Sequence, residues 1–458
     1  MNTDLKKNIK KIYENNFLNK EFIPGETPVP ITGKVFNEQE LLFGVEAVLD
    51  GWWTEGRFAK EFEQKLGKYL GLPFVTLVNS GSSANLIAFS ALTSKSLGER
   101  ALKPGDEVIT AATGFPTTVN PLIQYGCIPV FVDIDLETKN VVIADVKKAI
   151  TKKTKAIMIA HTLGNPFGLK EITKLAKDHN LWMIEDCCDA LGSAYDGKKV
   201  GTFGDIATLS FYPAHHITMG EGGAVVTKNP LLFRSIRQFR DWGRDCWCST
   251  GRDNTCGKRF CWKLGKLPIG YDHKYIYSQI GYNLKLTDMQ AAIGVAQLEK
   301  LDGFILKRKE NFDTLYGFFQ QYKKYFILPE HEEQSAPSWF GFILVIKDNK
   351  KFNRLELVKF LDKKKIGTRN LFAGNLLKHP AYMNIKCRKI GGMKNSDKIM
   401  NDGFWIGVYP GINDAMLKYV MDSFSEFILQ KCKSIQVKKQ NKGRRFNKPL
   451  KIPKNGQL

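Results

Sequence analysis

Ser210-Phe211-Tyr212-Pro213-Ala214-His215-His216-Ile217-Thr218-Met219-Gly220-Glu221-Gly222-Gly223 joins two short apolar runs, 206–211 and 223–227. Adjacent histidines follow a serine by five and six positions, and a glycine-rich turn closes the segment. Outward from it, residues 74–242 alternate apolar runs with amphipathic stretches. Strands are predicted at 74–78, 107–111, 129–133, 156–160, 182–185, 206–211 and 223–227, and helices between many of them, such as 169–180 and 230–242. Several of these runs are β-branched without alternation, which is how strands covered on both faces read. Strands interleaved with helices predict an α/β layer with a mostly parallel sheet.

Two more segments carry chemistry-bearing residues at predicted strand ends. In Asn79-Ser80-Gly81-Ser82-Ser83-Ala84-Asn85 a strand gives way to a helix, whose free N–H groups and serine hydroxyls suit an anion. The same composition also fits an ordinary Ser/Gly turn. In Met183-Ile184-Glu185-Asp186-Cys187-Cys188-Asp189-Ala190 a carboxylate ends an apolar strand, where α/β proteins place ligand contacts. Such an acid can pair with a cationic ring nitrogen or cap the helix that follows.

The remaining organisation bounds the problem. At 458 residues the chain calls for more than one lobe, and 43% hydrophobic residues exclude a largely disordered protein. The expected division is a helical arm over 1–34, a large domain over 35–290 that includes a cysteine-rich loop at 244–270, and a smaller α+β domain over 291–430. One long helical pattern is expected over 287–325. Residues 431–458 hold ten Lys or Arg and no acid, leaving +12 of the +22 formal charge to the rest; this tail reads as a solvated, disordered extension rather than a nucleic-acid arm. No apolar run is long enough for a membrane helix, and the charged N-terminus lacks the core of a secretory signal, so a cytoplasmic protein without membrane contact is expected. Nine cysteines in that setting favour metal or redox use over disulfides.

The 210–223 segment, with the two strand-end segments in order before it, resembles the sugar-aminotransferase family of pyridoxal-phosphate enzymes, over about residues 30–430. The resemblance implies the fold-type-I transferase architecture: a large domain with a mostly parallel sheet flanked by helices, and a smaller C-terminal α+β domain. It places Ser82, Ser83 and Ser210 at the cofactor phosphate, Phe115 on the pyridine ring, Asp186 at the ring nitrogen and Asp189 near the ring hydroxyl. Asn283 would reach the phosphate of a neighbouring subunit, which implies a homodimer. In the family a lysine stands five residues after the serine; here it is His215. With no side-chain amine there, pyridoxamine 5'-phosphate held noncovalently replaces lysine-bound pyridoxal phosphate, and His215 remains a competent base near neutral pH. Phe340 also replaces a histidine common among the aminotransferases.

Cys188, Cys246, Cys248 and Cys256 are separated by 57, 1 and 7 residues. That spacing resembles the [2Fe–2S] ligand set of the iron–sulfur 3-dehydratase branch, which makes 3,6-dideoxysugars; zinc is the rival metal, and incidental thiols the plainer account. The branch implies C3 dehydration of a CDP-4-keto-6-deoxyhexose with His215 as base and then acid. The cluster would pass electrons from a separate NAD(P)H-dependent flavin or iron–sulfur reductase, since no dinucleotide-binding glycine motif is apparent here. The nearest alternative is a cluster-free 3-dehydratase that uses glutamate. Cys187 and Cys261 lie near the expected ligands; Cys127, Cys387 and Cys432 read as core or incidental thiols.

Overall fold

A computed structural model describes residues 3–18, 21–348 and 350–444. Its large sheet contains seven strands that coincide, within about two residues at each end, with the runs predicted above: β1 (Phe74–Val78), β2 (Glu107–Ala111), β3 (Ile128–Val132), β4 (Thr154–Ala160), β5 (Trp182–Asp186), β6 (Ile206–Ser210) and β7 (Gly223–Thr227). They lie in the order β1-β7-β6-β5-β4-β2-β3, and Arg388–Lys389 adds a two-residue edge beside β3. β7 is antiparallel to both neighbours; every other pairing is parallel. Nearly every strand residue is buried, as in a sheet covered on both faces.

The covering helices include α1 (Arg57–Leu70), α2 (Gly81–Leu92), α3 (Pro116–Gln124), α4 (Leu169–Asp178) and α5 (Pro230–Arg240). Each amphipathic one turns an apolar stripe inward; α1, for example, buries Phe58, Phe62, Leu66 and Leu70. The predicted helical pattern at 287–325 is two helices, α6 (Asp288–Leu298) and α7 (Leu301–Phe319), because the chain bends at Glu299–Lys300 without a proline or glycine to announce it. A three-stranded antiparallel sheet of Phe326–Ile327, Gly341–Ile346 and Gly403–Gly407 packs with α7 and the final helix around a second core rich in Phe, including Phe319, Phe342 and Phe424. That final helix, Asp414–Arg444, continues past 431, the expected start of the basic tail. Its lysines and glutamines are good helix formers. The rest of the predicted tail, 445–458, lies outside the described residues. Among the described residues no helix is long and apolar enough to cross a membrane.

Topology places the site. Running parallel, β5 and β6 deliver Asp186 and Ser210 to the same edge of the sheet. β7 runs back between β6 and β1, pairing Gly223 with both Ser210 and Val78, so the turn into α2 arrives beside Ser210. Two glycines permit that closeness. A Cβ on Gly223 would lie 2.4 Å from the Ser80 carbonyl oxygen, and one on Gly81 would lie 2.5 Å from the Ser210 Cβ.

Candidate active site

At the start of α2, Ser80 caps the helix: its Oγ accepts from the Ser83 N–H at 3.1 Å, and Ser83 Oγ donates to Asn79 Oδ1 at 2.6 Å. Ser82 on the first turn is exposed, and Ser210 Oγ faces Gly81. Helix N-terminus, hydroxyls and absent side chain bring the predicted Ser82, Ser83 and Ser210 together as a candidate anion cradle.

Asp186 is buried at the end of β5 and tightly oriented. Its Oδ2 accepts from Asn85 Nδ2 at 2.9 Å and Thr118 Oγ1 at 2.7 Å, and its Oδ1 from the Cys188 N–H at 3.1 Å. Asn85 is fixed in turn, accepting from Thr208 Oγ1 at 2.7 Å. Asn85 and Thr118 were not singled out from the sequence, although Asn85 stands inside the quoted serine–glycine segment. Phe115, the residue before α3, is exposed, with its ring 6.2 Å from that of Phe372.

His215 Nδ1 lies 3.3 Å from Asp189 Oδ1, and its ring sits 5.3 Å from that of Phe340. Asp189 thus pairs with the candidate base. His215 Nδ1 and Asp189 Oδ2 are buried polar atoms without a hydrogen-bond partner in the protein. His216 has a different character: it is buried, its Nε2 bonds the Ser338 carbonyl at 2.8 Å, and burial holds its pKa well below the ordinary value, so it is a neutral structural group. Behind both stands Arg308, fully buried. It donates to the carbonyls of His215 at 3.1 Å, Trp339 at 3.3 Å and Phe340 at 3.4 Å, and burial draws its pKa down to about 9. Arg308 ties the histidine segment to the second lobe; nothing in its local sequence pattern distinguishes it from a surface helix residue. Asn283 is exposed, accepts from Lys285 Nζ at 2.6 Å, and belongs to a segment bridged to Asp241.

Three of the four predicted cysteine ligands come together. Cys246, Cys248 and Cys256 place their Sγ atoms 3.4, 3.8 and 3.7 Å from Nε2 of His273, a fully buried imidazole that sequence reasoning missed although it closes the same cysteine-rich stretch. Burial pushes the Cys246 thiol up to about 11. At Cys248 burial is outweighed by hydrogen bonds from Thr255, Cys256 and Cys246, which bring it down to about 7. Cys188 is not in this group. Its Sγ faces the cradle, 3.2 Å from where a Cβ on Gly81 would stand, because the backbone after β5 is fixed by the bond to Asp186. Cys188 is thus not grouped at ligand distance with the other predicted cysteines. In a second ligand-like group, His161, Glu185 and Cys187, the histidine and the carboxylate are already engaged in hydrogen bonds. His161 Nδ1 accepts from Phe167 N–H, leaving Nε2 to donate to Glu185, whose oxygens also accept from the Gly201, Phe203 and Gly204 N–H groups.

The donor set suits a phosphorylated pyridine cofactor. It offers an anion cradle at a helix N-terminus, an oriented carboxylate for a ring nitrogen, an exposed aromatic ring, and two unsatisfied polar atoms at the histidine–aspartate pair. The three thiols and an imidazole suit a soft metal centre.

The chain is 59% identical over 416 residues, 91% of its length and 95% of the relative's, to the lipopolysaccharide biosynthesis protein RfbH of Salmonella typhimurium. It is 51% identical, covering 89% of this chain and 88% of the relative, to dTDP-4-dehydro-2,6-dideoxy-D-glucose 3-dehydratase of Saccharopolyspora spinosa. Among solved structures, GDP-4-keto-6-deoxymannose-3-dehydratase with a trapped PLP–glutamate geminal diamine superposes with a TM-score of 0.76 at 28% identity, over 86% of this chain and 99% of that one. The model of the DegT/DnrJ/EryC1/StrS aminotransferase family matches residues 37–425, and the chain belongs to that family.

Proposed function

We propose that this protein is a cytoplasmic, pyridoxamine-phosphate-dependent 3-dehydratase of a nucleotide-activated 4-keto-6-deoxyhexose. The observation that carries the reading is the imidazole of His215, paired with Asp189 at 3.3 Å, at the position where the transaminases of the family place lysine. The relatives named as 3-dehydratases of dTDP- and GDP-linked sugars support the reaction class. A CDP-linked hexose is the substrate implied by the sequence resemblance.

When bound, pyridoxamine phosphate supplies the amine that condenses with the sugar's C4 ketone and a conjugated ring that accepts electrons as the C3 hydroxyl leaves. Ser82, Ser83 and Ser210 hold its phosphate, and Asn283 of a second protomer extends that cradle in a homodimer. Phe115 covers the ring face. Asp186, fixed by Asn85 and Thr118, keeps the ring nitrogen protonated. Asp189, 3.3 Å from Nδ1 of His215, orients the imidazole. His215 removes a proton from C4′ and donates one to the departing C3 oxygen.

The cysteine group supports a second half of the reaction: Cys188, Cys246, Cys248 and Cys256 would hold a [2Fe–2S] cluster, which would supply single-electron transfer from a separate NAD(P)H-dependent reductase for C3 deoxygenation. The alternative is a cluster-free, glutamate-using dehydratase, favoured by the glutamate adduct in the solved structural neighbour. Convergence of Cys246, Cys248 and Cys256 favours the first.

The test is the visible spectrum of anaerobically purified protein with iron and sulfide assayed on the same sample, alongside His215→Asn. The reading expects about two irons and two sulfides per chain, bands bleached by dithionite, and a variant that retains cofactor but no longer dehydrates. Full dehydration by His215→Asn refutes the base. Absence of iron after reconstitution moves the assignment to the glutamate-using reaction.

A further inference from the structure

The Cys246–Cys248–Cys256 group lacks a fourth cysteine from its own chain, and the loop that carries it is pinned. Asp245, buried, accepts from Gln238 Nε2 at 2.6 Å and from Arg234 at 3.4 Å. Thr250 Oγ1 donates to Glu55 at 3.0 Å, and Gly251 packs against the Trp52 ring so closely that a Cβ would lie 2.5 Å from it. Arg259 pairs with Asp272 at 2.7 Å beside His273. Carrying these thiols to Cys188 of the same chain would break these contacts together.

The loop also presents apolar surface that its own chain leaves uncovered. Ile280 is 94% exposed and Ile269 85%, with Phe260, Tyr277 and Trp247 around half exposed. At the mouth of the cofactor site, Phe115 and Tyr212 are similarly uncovered, at 49% and 51%. Large apolar side chains left this exposed are candidates for an interaction surface. A two-fold operation that laid the loop of one protomer on the site mouth of the other would cover both sets at once, with the reverse contact following from the same operation.

We propose that the metal cluster is held across a homodimer, with Cys188 of one protomer completing the set of Cys246, Cys248 and Cys256 from the other. This rests on the iron–sulfur reading above. Each thiol releases its proton to solvent on ligating iron, giving the four thiolates that a [2Fe–2S] centre takes. Cys188 is two residues from Asp186 and adjacent to Ser210, so the shared cluster stands beside the cofactor cradle, within the short range that single-electron transfer requires. His273 then packs against the sulfurs of three ligands and is not itself one.

Subunit mixing tests this. A Cys188→Ser chain and a Cys248→Ser chain, differently tagged, are co-expressed, and the heterodimer is isolated by both tags and reconstituted with iron and sulfide. In a shared arrangement one of its two sites combines an intact Cys188 with an intact loop, and the other carries both substitutions. The heterodimer is expected to hold about half the wild-type iron, with a matching signal from the dithionite-reduced cluster in electron paramagnetic resonance, while both variant homodimers hold almost none. Iron-free heterodimer would show that all four ligands come from one chain and overturn the proposal. So would a Cys188→Ser homodimer with wild-type iron and spectrum, which would hand the fourth position to His273. A monomeric, iron-replete wild type would overturn it too. A Cys188→Ala and Cys256→Ala pair repeats the test if either first variant misfolds. Wild-type protein without iron after reconstitution would refute the cluster reading itself, which distinguishes that failure from failure of the shared arrangement.

Discussion

Asp189→Asn isolates the contribution of one charge to the proposed proton transfers. The aspartate lies 3.3 Å from His215 Nδ1, and both side chains are largely shielded, at 10% and 16% exposure. At that separation an effective dielectric of about 20 gives a Coulomb attraction of about 5 kcal/mol between carboxylate and imidazolium, an upper bound before desolvation is subtracted. Desolvation, and the absence of a formed hydrogen bond between the two side chains, reduce the net contribution to about 1–2 kcal/mol, which corresponds to about a 5- to 30-fold change in rate. Asparagine keeps the shape and one acceptor oxygen, so the imidazole stays in place while its charged form loses its partner. The assay is single-turnover dehydration of the 4-keto-6-deoxyhexose nucleotide by protein loaded with pyridoxamine phosphate, with cofactor affinity measured in parallel. The expected result is a rate lower by about 5- to 30-fold with cofactor affinity within about threefold of wild type. A rate within about threefold of wild type would show that the carboxylate does not stabilise the charged imidazole and would remove Asp189 from the proton-transfer argument.

Three other outcomes follow from the same contacts. Arg240 is buried and bonded to Glu55 at 2.6 Å and Asp241 at 3.0 Å; Arg240→Met strands both acids and is expected to cost about 3–5 kcal/mol in denaturant unfolding, with a loss below about 1 kcal/mol refuting the pairing. Lys139 is buried against the carbonyls of Leu136 and Glu137, and burial lowers its pKa from 10.5 to about 7. The unfolded chain therefore binds more protons between those values, so wild-type stability should rise relative to Lys139→Met as pH increases from 7 towards 10.5, and a flat difference would contradict the lowered value. Cys248→Ala should lose the visible cluster bands while retaining part of its dehydration activity; persistence of the bands would exclude Cys248 as a ligand.

The parallel sheet was legible because β1 to β7 are short β-branched runs whose burial on both faces forbids alternation, and because the helices between them carry clear apolar stripes. The bend at Glu299–Lys300 was not, since it arises from how α6 and α7 pack and leaves no proline or glycine in the sequence. Ser82, Ser83 and Asp186 could be marked because each stands at a strand end or turn; Ser210 and His215 could be marked by the resemblance to the sugar aminotransferases. Local order along the chain thus determined the sheet, the residue at 215 and the cysteine-rich loop. Only the tertiary structure decided what those residues face. Parallel strands bring Asp186 and Ser210 to one edge, and Gly81 and Gly223 let the serine turn close on them. Packing of the second lobe puts Arg308 behind His215, and the anchored loop turns its three thiols toward His273. Such long-range neighbours depend on which surfaces exclude water together, and no spacing within the chain records that.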